Sequence, residues 1–363
     1  MSNIVLYRKH RPQTFSEVIG QEHVVQTITN AISANQISHA YLFSGPRGSG
    51  KTSMARLLAK AASCENRREN QFEPCNQCSS CVDINRKRSV DLIEIDAASH
   101  RGIDDIRELR SGVRFAPIKS KYKTFIIDEC HQLTTAASNA LLKTLEEPPS
   151  HAIFILATTE AHKMISTIIS RCQRFDFKKL TVPEIAKKIE IIIKLEKIKV
   201  EKQAINLIAK NARGSIRDAE SFLDQAITFC GKREIKAEDI KDLLGLVEIE
   251  QIFEFTNFIV NKKTAEAINF LEQITDKGQD LQEFIKSFIN YLREGLVLKI
   301  DPDKNSENME FTKEEVETLK EQLKQTEQIK ILKTIETFLD ALNKMKYSPI
   351  PQLSIELAII EVC

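Results

Sequence analysis

The sequence predicts an α/β domain on a parallel sheet, followed by two regions that are helical throughout. Three observations carry this prediction. Short apolar runs alternate with helical patterns over residues 1–180, a glycine-rich turn joins one such run to one such helix, and strand signals stop at Pro183. The apolar runs are Tyr41–Ser44, Leu92–Ile95, Thr124–Ile127 and Ile153–Ala157. They are continuous rather than alternating, as strands buried on both faces read. Between and around them lie the helical patterns Glu22–Ala34, Lys51–Ser63, Ile103–Phe115 and Thr135–Glu146, the last stopped by Pro148-Pro149. Alternation of this kind gives a doubly wound sheet.

From Pro183 the patterns are Pro183–Lys197, Glu201–Arg213, Ser215–Cys230 and Ala237–Leu244, with Ser215 as N-cap, Asp218 in the first turn and Gly231 as the stop. A further helical block rich in Lys, Glu, Ile and Leu runs from about Val247 to Cys363, with a polar loop expected over Asp301–Asn308. The expected division is therefore 1–180, 181–245 and 246–363.

Composition narrows the function classes. The 363 residues are 42% hydrophobic and 28% charged, which excludes disordered and fibrous chains. Lys and Arg number 52 against 51 Asp and Glu, so a polybasic nucleic-acid binder is disfavoured. Any nucleic-acid site must be a local basic surface or the inside of an assembled ring. No apolar run is long enough to span a bilayer, and the N-terminus lacks a signal-peptide core. The expected location is the cytoplasm, with no membrane partner; disulfides are rare there, so the eight cysteines need another reading.

Gly45-Pro46-Arg47-Gly48-Ser49-Gly50-Lys51-Thr52 matches the phosphate-loop pattern and sits between a predicted strand and a predicted helix, with Ser53 following. The glycines let backbone N–H groups turn toward a phosphate at a helix N-terminus. Lys51 would reach the β- and γ-phosphates of ATP, and Thr52 would ligate Mg²⁺. Asp128 and Glu129 end the run Phe125-Ile126-Ile127, expected to lie beside the phosphate-loop strand. Asp128 would hold Mg²⁺ and Glu129 would orient or deprotonate the attacking water. Alone, such a pair could be two surface carboxylates. Beside a phosphate loop it reads as hydrolytic, since a binding module without turnover does not need Glu129.

Cys64, Cys75, Cys78 and Cys81 form C-x₁₀-C-x₂-C-x₂-C, a spacing that closes a structural Cys₄ zinc site over residues 64–81. The residues between Cys64 and Cys75 are too polar for a core of their own, which fits metal-driven folding. An iron–sulfur cluster or four reduced, unliganded thiols remain the alternatives. Cys130, Cys172, Cys230 and Cys363 read as ordinary buried or helix-face thiols.

Together these residues resemble the γ/τ subunits of the bacterial DNA polymerase III clamp loader, AAA+ P-loop ATPases. The resemblance is dense over residues 4–230. It is carried by Tyr7-Arg8-Lys9-His10-Arg11-Pro12, the phosphate loop, the four cysteines, Asp96-Ala97-Ala98-Ser99, Asp128-Glu129-Cys130-His131, Leu156-Ala157-Thr158-Thr159, Ser170-Arg171-Cys172 and Gly214-Ser215-Ile216-Arg217-Asp218-Ala219. It implies an AAA+ domain with a zinc-binding insertion, a small helical lid and an all-α oligomerisation collar. The activity implied is an ATPase that opens and loads a sliding clamp within the polymerase holoenzyme, with no polymerase active site.

The resemblance also assigns roles. Thr159 aligns with sensor 1, Arg171 with an arginine finger acting on a neighbouring subunit's ATP, and Arg217 with sensor 2. Val18, Ile19 and Gly20 would line the adenine pocket, with Tyr7, Arg8 and Arg11 near the nucleotide. The implied partners are the δ and δ′ subunits, further copies of the chain, the sliding clamp β and primer–template DNA held by its phosphates. The N-terminus of the helix from Ile103, with Arg101, Arg107, Arg110 and Arg114, is either a DNA phosphate site or a solvated helix face. Clamp contact would come from near the helix starting at Thr135. Where the family more often has Asp after the paired threonines, this chain has Glu160, and His10 stands where Trp is frequent. The rival readings are another AAA+ remodeller of DNA, such as a branch-migration motor or helicase loader, and an ATP-binding scaffold without turnover.

Overall fold

The computed structural model describes residues 5–68, 70–245, 249–301, 313–324 and 326–363, the side chains of 313–315 excepted. They form two compact units, Met1–Lys236 and Ala237–Cys363. The expected start of the third block at Val247 and most of the loop expected over Asp301–Asn308 lie outside the described residues.

The first unit is built on five strands: β1 (Ala40–Ser44), β2 (Leu92–Asp96), β3 (Lys123–Asp128), β4 (Ala152–Thr158) and β5 (Gln173–Asp176). They pair in the order β2-β3-β4-β1-β5, every pair parallel. Successive residues of β1, β3 and β4 feed opposite cores. Tyr41, Phe43, Ile126, Ile153 and Ile155 pack on one face with Met54, Leu57 and Leu58 of the helix Lys51–Ala62. Leu42, Phe125, Ile127, Phe154 and Leu156 pack on the other with Ile106, Leu109, Leu141 and Ile168. Burial on both faces is why these strands are continuous apolar runs.

Three features differ from expectation. The strand ending in Asp128 is not beside the phosphate-loop strand, because β4 lies between them. The first crossover runs from β1 out to the edge strand β2, and β3 and β4 then fill the gap. β5 has no apolar run. Only Phe175 of its four residues is buried, but with Phe177 it keeps a period of two, the mark of a half-buried edge strand. A short helix, Ser79–Asn85, also forms within the cysteine-bearing insertion.

Three helices complete this unit: Val182–Glu196, Lys202–Asn211 and Ile216–Cys230. Thr181 and Glu184 form a capping box with Pro183 in the first turn. Ser215 caps the third by accepting from Asp218 N, and Gly231 ends it with φ 63°. Ile216 N donates to Gly48 O at 3.2 Å, which ties the third helix to the phosphate loop.

The second unit contains the helices Ala237–Leu244, Ile249–Val260, Thr264–Asp276, Leu281–Ile300, Lys313–Leu323, Gln328–Met345 and Pro351–Val362. Its core centres on an aromatic cluster, with Phe288 at 4.8 Å from Phe255 and 4.9 Å from Phe338, ring centroid to centroid. A Cβ at Gly295 would lie 2.2 Å from Leu323 Cδ1, so glycine sets how closely those two helices approach. Among the described residues no helix is long and apolar enough to cross a membrane.

Candidate nucleotide-binding site and metal centre

The phosphate loop leaves the carboxyl end of β1 and enters the helix Lys51–Ala62 through Gly48 and Gly50, both at positive φ (73° and 99°). The helix start aims its amide N–H groups into a cavity of about 150 Å³. Lys51 is 5% exposed, and its Nζ donates to Gly45 O at 2.7 Å and Pro46 O at 2.9 Å. Burial lowers its pKa, and the carboxylates of Glu129 and Asp128 work against that shift.

Although β4 separates their strands, the helix that follows the loop crosses toward β3. Thr52 Oγ1 donates to Asp128 Oδ2 at 2.8 Å. A hydroxyl and a carboxylate so close form a hard-oxygen pair suited to Mg²⁺. Glu129 follows in the left-handed region, φ 48° and ψ 41°. Thr159, one residue past the end of β4, donates to Glu129 Oε2 from Oγ1 at 2.8 Å and from its backbone N at 3.3 Å. The strand between β1 and β3 thus carries the side chain that holds Glu129. His131 backs this pair, with Nδ1 3.0 Å from Thr158 Oγ1 and Nε2 3.2 Å from Glu160 Oε2.

The cavity wall brings together Tyr7, Arg11, Val18, Ile19, Arg47–Ser53, Asp128, Glu129 and Arg217 from the residues singled out in the sequence. The Arg217 guanidinium lies over the Tyr7 ring, 4.8 Å from its centroid. Gly45 and Pro46 reach the site through their carbonyls on Lys51, and Thr159 through Glu129. Arg8 lies instead on a neighbouring small cavity with Arg56 and Lys87. Arg171 is not on the wall. Half-buried, it pairs with Glu146 at 2.5 Å and donates to Thr167 O at 2.8 Å.

Glu17, Leu180, Lys188 and Glu220 line the cavity without having been singled out, and Pro12 and Ile216, quoted above without a role, line it as well. Glu220 stands one turn beyond Arg217 on the same helix face, which was the available signal. Burial raises its carboxyl to about 7, with Lys188 and Arg11 opposing. Burial, and next the neighbouring Arg56, lowers Arg11 to about 10.

The four predicted cysteine ligands converge, all sulfurs lying within 4.8 Å of one another. Cys75 Sγ accepts from Gln77 N and Cys78 N at 3.4 and 3.2 Å, and Cys64 Sγ accepts from Cys75 N at 3.4 Å. Burial alone would raise the Cys75 thiol; these N–H groups and the neighbouring thiols instead bring it down to about 6. A compact four-sulfur set with N–H···S bonds fits a tetrahedral zinc centre. Of the other cysteines, Cys130 and Cys230 are buried, and Cys172 and Cys363 partly so.

At the start of the helix Ile103–Val113, Gly102 N donates to Asp105 Oδ2 at 3.0 Å, and Arg107 pairs with Asp104. Arg101 and Arg114 are exposed, and Arg110 is half-buried.

Three family models tile the chain. The one described as DNA polymerase III, delta subunit, matches residues 20–181. The DNA polymerase III clamp loader subunit ATPase lid domain matches 184–232, and DNA polymerase III subunits gamma and tau domain III matches 235–363. The chain is 44% identical to DNA polymerase III subunit tau of Bacillus subtilis, over 100% of this chain and 64% of that one. Against subunit tau of Escherichia coli it is 37% identical, over 99% of this chain and 55% of that one. Against subunit gamma of Buchnera aphidicola it is 39% identical over 80% of each. Among solved structures, the Thermotoga maritima RuvB Holliday junction branch migration motor superposes with a TM-score of 0.48 at 20% identity, over 69% of this chain and 79% of that one. The chain therefore spans about two thirds or less of the tau subunits it matches, and nearly all of its length is matched. With the parallel sheet, the phosphate loop and the helical units that follow it, the chain belongs to the DNA polymerase III gamma/tau subunit family of AAA+ clamp-loader proteins.

Proposed function

We propose that this chain is an ATP-hydrolysing motor subunit of a bacterial clamp loader, acting in the cytoplasm to open a sliding clamp and load it on primer–template DNA. The observation that carries the reading is the convergence of Lys51, Thr52, Asp128 and Glu129 on one cavity, with Thr159 bonded to Glu129. A binding-only scaffold has no use for a held carboxylate beside the phosphate loop.

In this reading the chain divides functionally into an ATP-binding domain (1–180), a lid (181–245) and a collar (246–363). Lys51 and the loop amides neutralise the β- and γ-phosphates. Thr52 and Asp128 would hold Mg²⁺, which would supply charge neutralisation for those phosphates. Glu129 accepts the proton of the attacking water, and Thr159 fixes the orientation of its carboxylate. Tyr7, Arg11, Val18 and Ile19 form the base side of the pocket. Arg217, on the first turn of the helix that bonds to Gly48 O, reports phosphate occupancy to the lid.

Arg171 serves a neighbouring copy, with its guanidinium placed against the transferring phosphoryl group only after assembly. Its position away from its own cavity supports this role. Zinc is the structural metal at Cys64, Cys75, Cys78 and Cys81. The exposed apolar side chains of the last two helices, among them Leu339, Leu353, Leu357 and Ile360, support assembly with δ, δ′ and further copies through the second unit.

The test is steady-state ATP hydrolysis of the chain assembled with δ, δ′ and the β clamp, with and without primed DNA. Stimulation by primed DNA that Arg171→Ala abolishes, with ATP binding retained, supports a trans-activated motor. Absence of turnover under every condition overturns it.

A further inference from the structure

The nucleotide reading leaves the metal insertion without a task beyond its own folding. Its contacts suggest one. The base side of the cavity is formed by a strap of chain whose two ends, Arg11-Pro12 and Glu17–Ile19, line the wall. The middle of the strap is gripped from outside by the insertion. Glu73 accepts from Phe15 N at 2.8 Å and from Ser16 N at 2.9 Å, one carboxylate oxygen to each. Asn76 Nδ2 donates to Gln13 O at 3.2 Å. Lys60, 2% exposed on the phosphate-loop helix, closes the joint. Its ammonium donates to Gln13 O at 2.8 Å, Gln13 Oε1 at 3.0 Å, Asn76 Oδ1 at 2.7 Å and Asn85 Oδ1 at 3.0 Å.

Each of those four acceptors is neutral. Burial lowers the Lys60 pKa, and the sulfurs of Cys81 and Cys64 and the carboxylates of Glu17 and Glu73 work against that shift. Four thiolates around one divalent ion carry a net double negative charge, which suits the same cation. The gripping residues are also set by the metal knuckle itself. Asn76 follows Cys75 directly and sits at φ 57°, inside the turn whose N–H groups bond Cys75 Sγ. Glu73 lies two residues before that ligand. Between Cys64 and Cys75 the other anchors are Arg67, which donates to Ala61 O at 3.0 Å and Ile32 O at 3.1 Å, and the Phe72 ring, which meets that of Phe15 in the strap.

We propose that the Cys₄ insertion is a positioning device for the base side of the nucleotide pocket, with Glu73, Asn76 and Lys60 transmitting metal occupancy to the strap. The proposal rests on the nucleotide reading above. If metal binding strengthens the pocket, nucleotide binding must protect the metal by the same factor.

The experiment uses the full zinc-loaded chain and two readouts, affinity for Mg-ADP and release of zinc to a chelating dye with and without saturating Mg-ADP. At equilibrium with the dye the unaltered chain should hold zinc about tenfold more tightly when ADP is bound, within the range for coupled sites. The variant Glu73→Ala/Asn76→Ala keeps all four cysteines and should still bind one zinc. It should lose the protection and bind ADP about tenfold more weakly, while inorganic tripolyphosphate, which touches only the loop, binds as before. Equal zinc release with and without ADP in the unaltered chain overturns the proposal, and needs no variant to fold. Unchanged ADP affinity in the variant overturns it as well. No ADP binding to the unaltered chain overturns the nucleotide reading and this proposal with it.

Discussion

Gly48→Ala is the sharpest single test of how the phosphate loop meets the lid. Gly48 sits at φ 73°, where an L side chain is strained by roughly 1–2 kcal/mol. A Cβ there would lie 1.9 Å from Ser215 Oγ and 2.9 Å from Ser215 Cβ. Ser215 must then give up its cap on Asp218 N, a loss of roughly 0.5–2 kcal/mol. The sum is about 3 kcal/mol, or a fall of roughly 6–12 °C in melting temperature for a unit of this size. Calorimetry of the full chain should show the transition of residues 1–236 moving by that amount. Ser215→Gly alone should cost only a few tenths of a kcal/mol, because glycine is a tolerated N-cap. In the Gly48→Ala background it should recover about 1 kcal/mol by removing the clash, leaving the backbone strain. Strictly additive effects of the two substitutions would refute the contact and with it the loop-to-lid coupling.

Further outcomes follow from the same geometry. Glu129→Gln should retain ATP binding while turnover falls by at least about 10²-fold, measured by single-turnover hydrolysis beside equilibrium binding. Arg171→Ala should lower DNA-stimulated hydrolysis by about 10³-fold or more without changing the affinity of isolated chains for ATP. Glu146→Ala, which removes only its ion-pair partner, should leave turnover near that of the unaltered chain. Elemental analysis should find one zinc per chain, reduced in Cys78→Ser, and chelation should raise proteolysis within residues 64–81 before the rest of the chain is cut. Glu220 gives a pH signature. Its carboxyl stands at about 7 in the fold against 4.5 for the free group, so the folded state binds the proton more tightly. Stability should therefore decline as pH rises from about 4.5 to about 7, by a few kcal/mol at most, and Glu220→Gln should lack that decline in urea titrations.

What could be read from residues alone was whatever is local or periodic. The phosphate loop is eight consecutive residues, and its meaning comes from the strand before it and the helix after it. The four cysteines carry their spacing in the chain. Strands buried on both faces announce themselves as apolar runs, as β1, β3 and β4 do, and the edge strand β2 still has three apolar residues in Leu92–Ile95, which is why β1 to β4 were legible within a residue or two at each end. β5 was not, because an edge strand needs only one buried face and Gln173-Arg174-Phe175-Asp176 offers one apolar side chain. The pairing order was also out of reach, since parallel strands of similar composition do not encode which of them are neighbours. That order decides that Thr159 lies between the phosphate loop and Asp128, and hence that it can hold Glu129.

The sequence by itself thus determined the fold class and the phosphate loop, and offered the carboxylates and the four cysteines as candidate catalytic and metal-binding residues, because each is written in contiguous or closely spaced residues. Only the tertiary structure decided that Lys188 and Glu220 wall the pocket, that Arg171 stands away from it, and that Lys60 joins the cysteine insertion to Gln13. Such relations join groups far apart in the chain, as when the Lys188 side chain donates to the backbone oxygen of His10, 178 positions away, at 3.0 Å. No local pattern specifies such partners; they meet because burying two apolar sheet faces leaves the buried polar groups no other place to find hydrogen bonds.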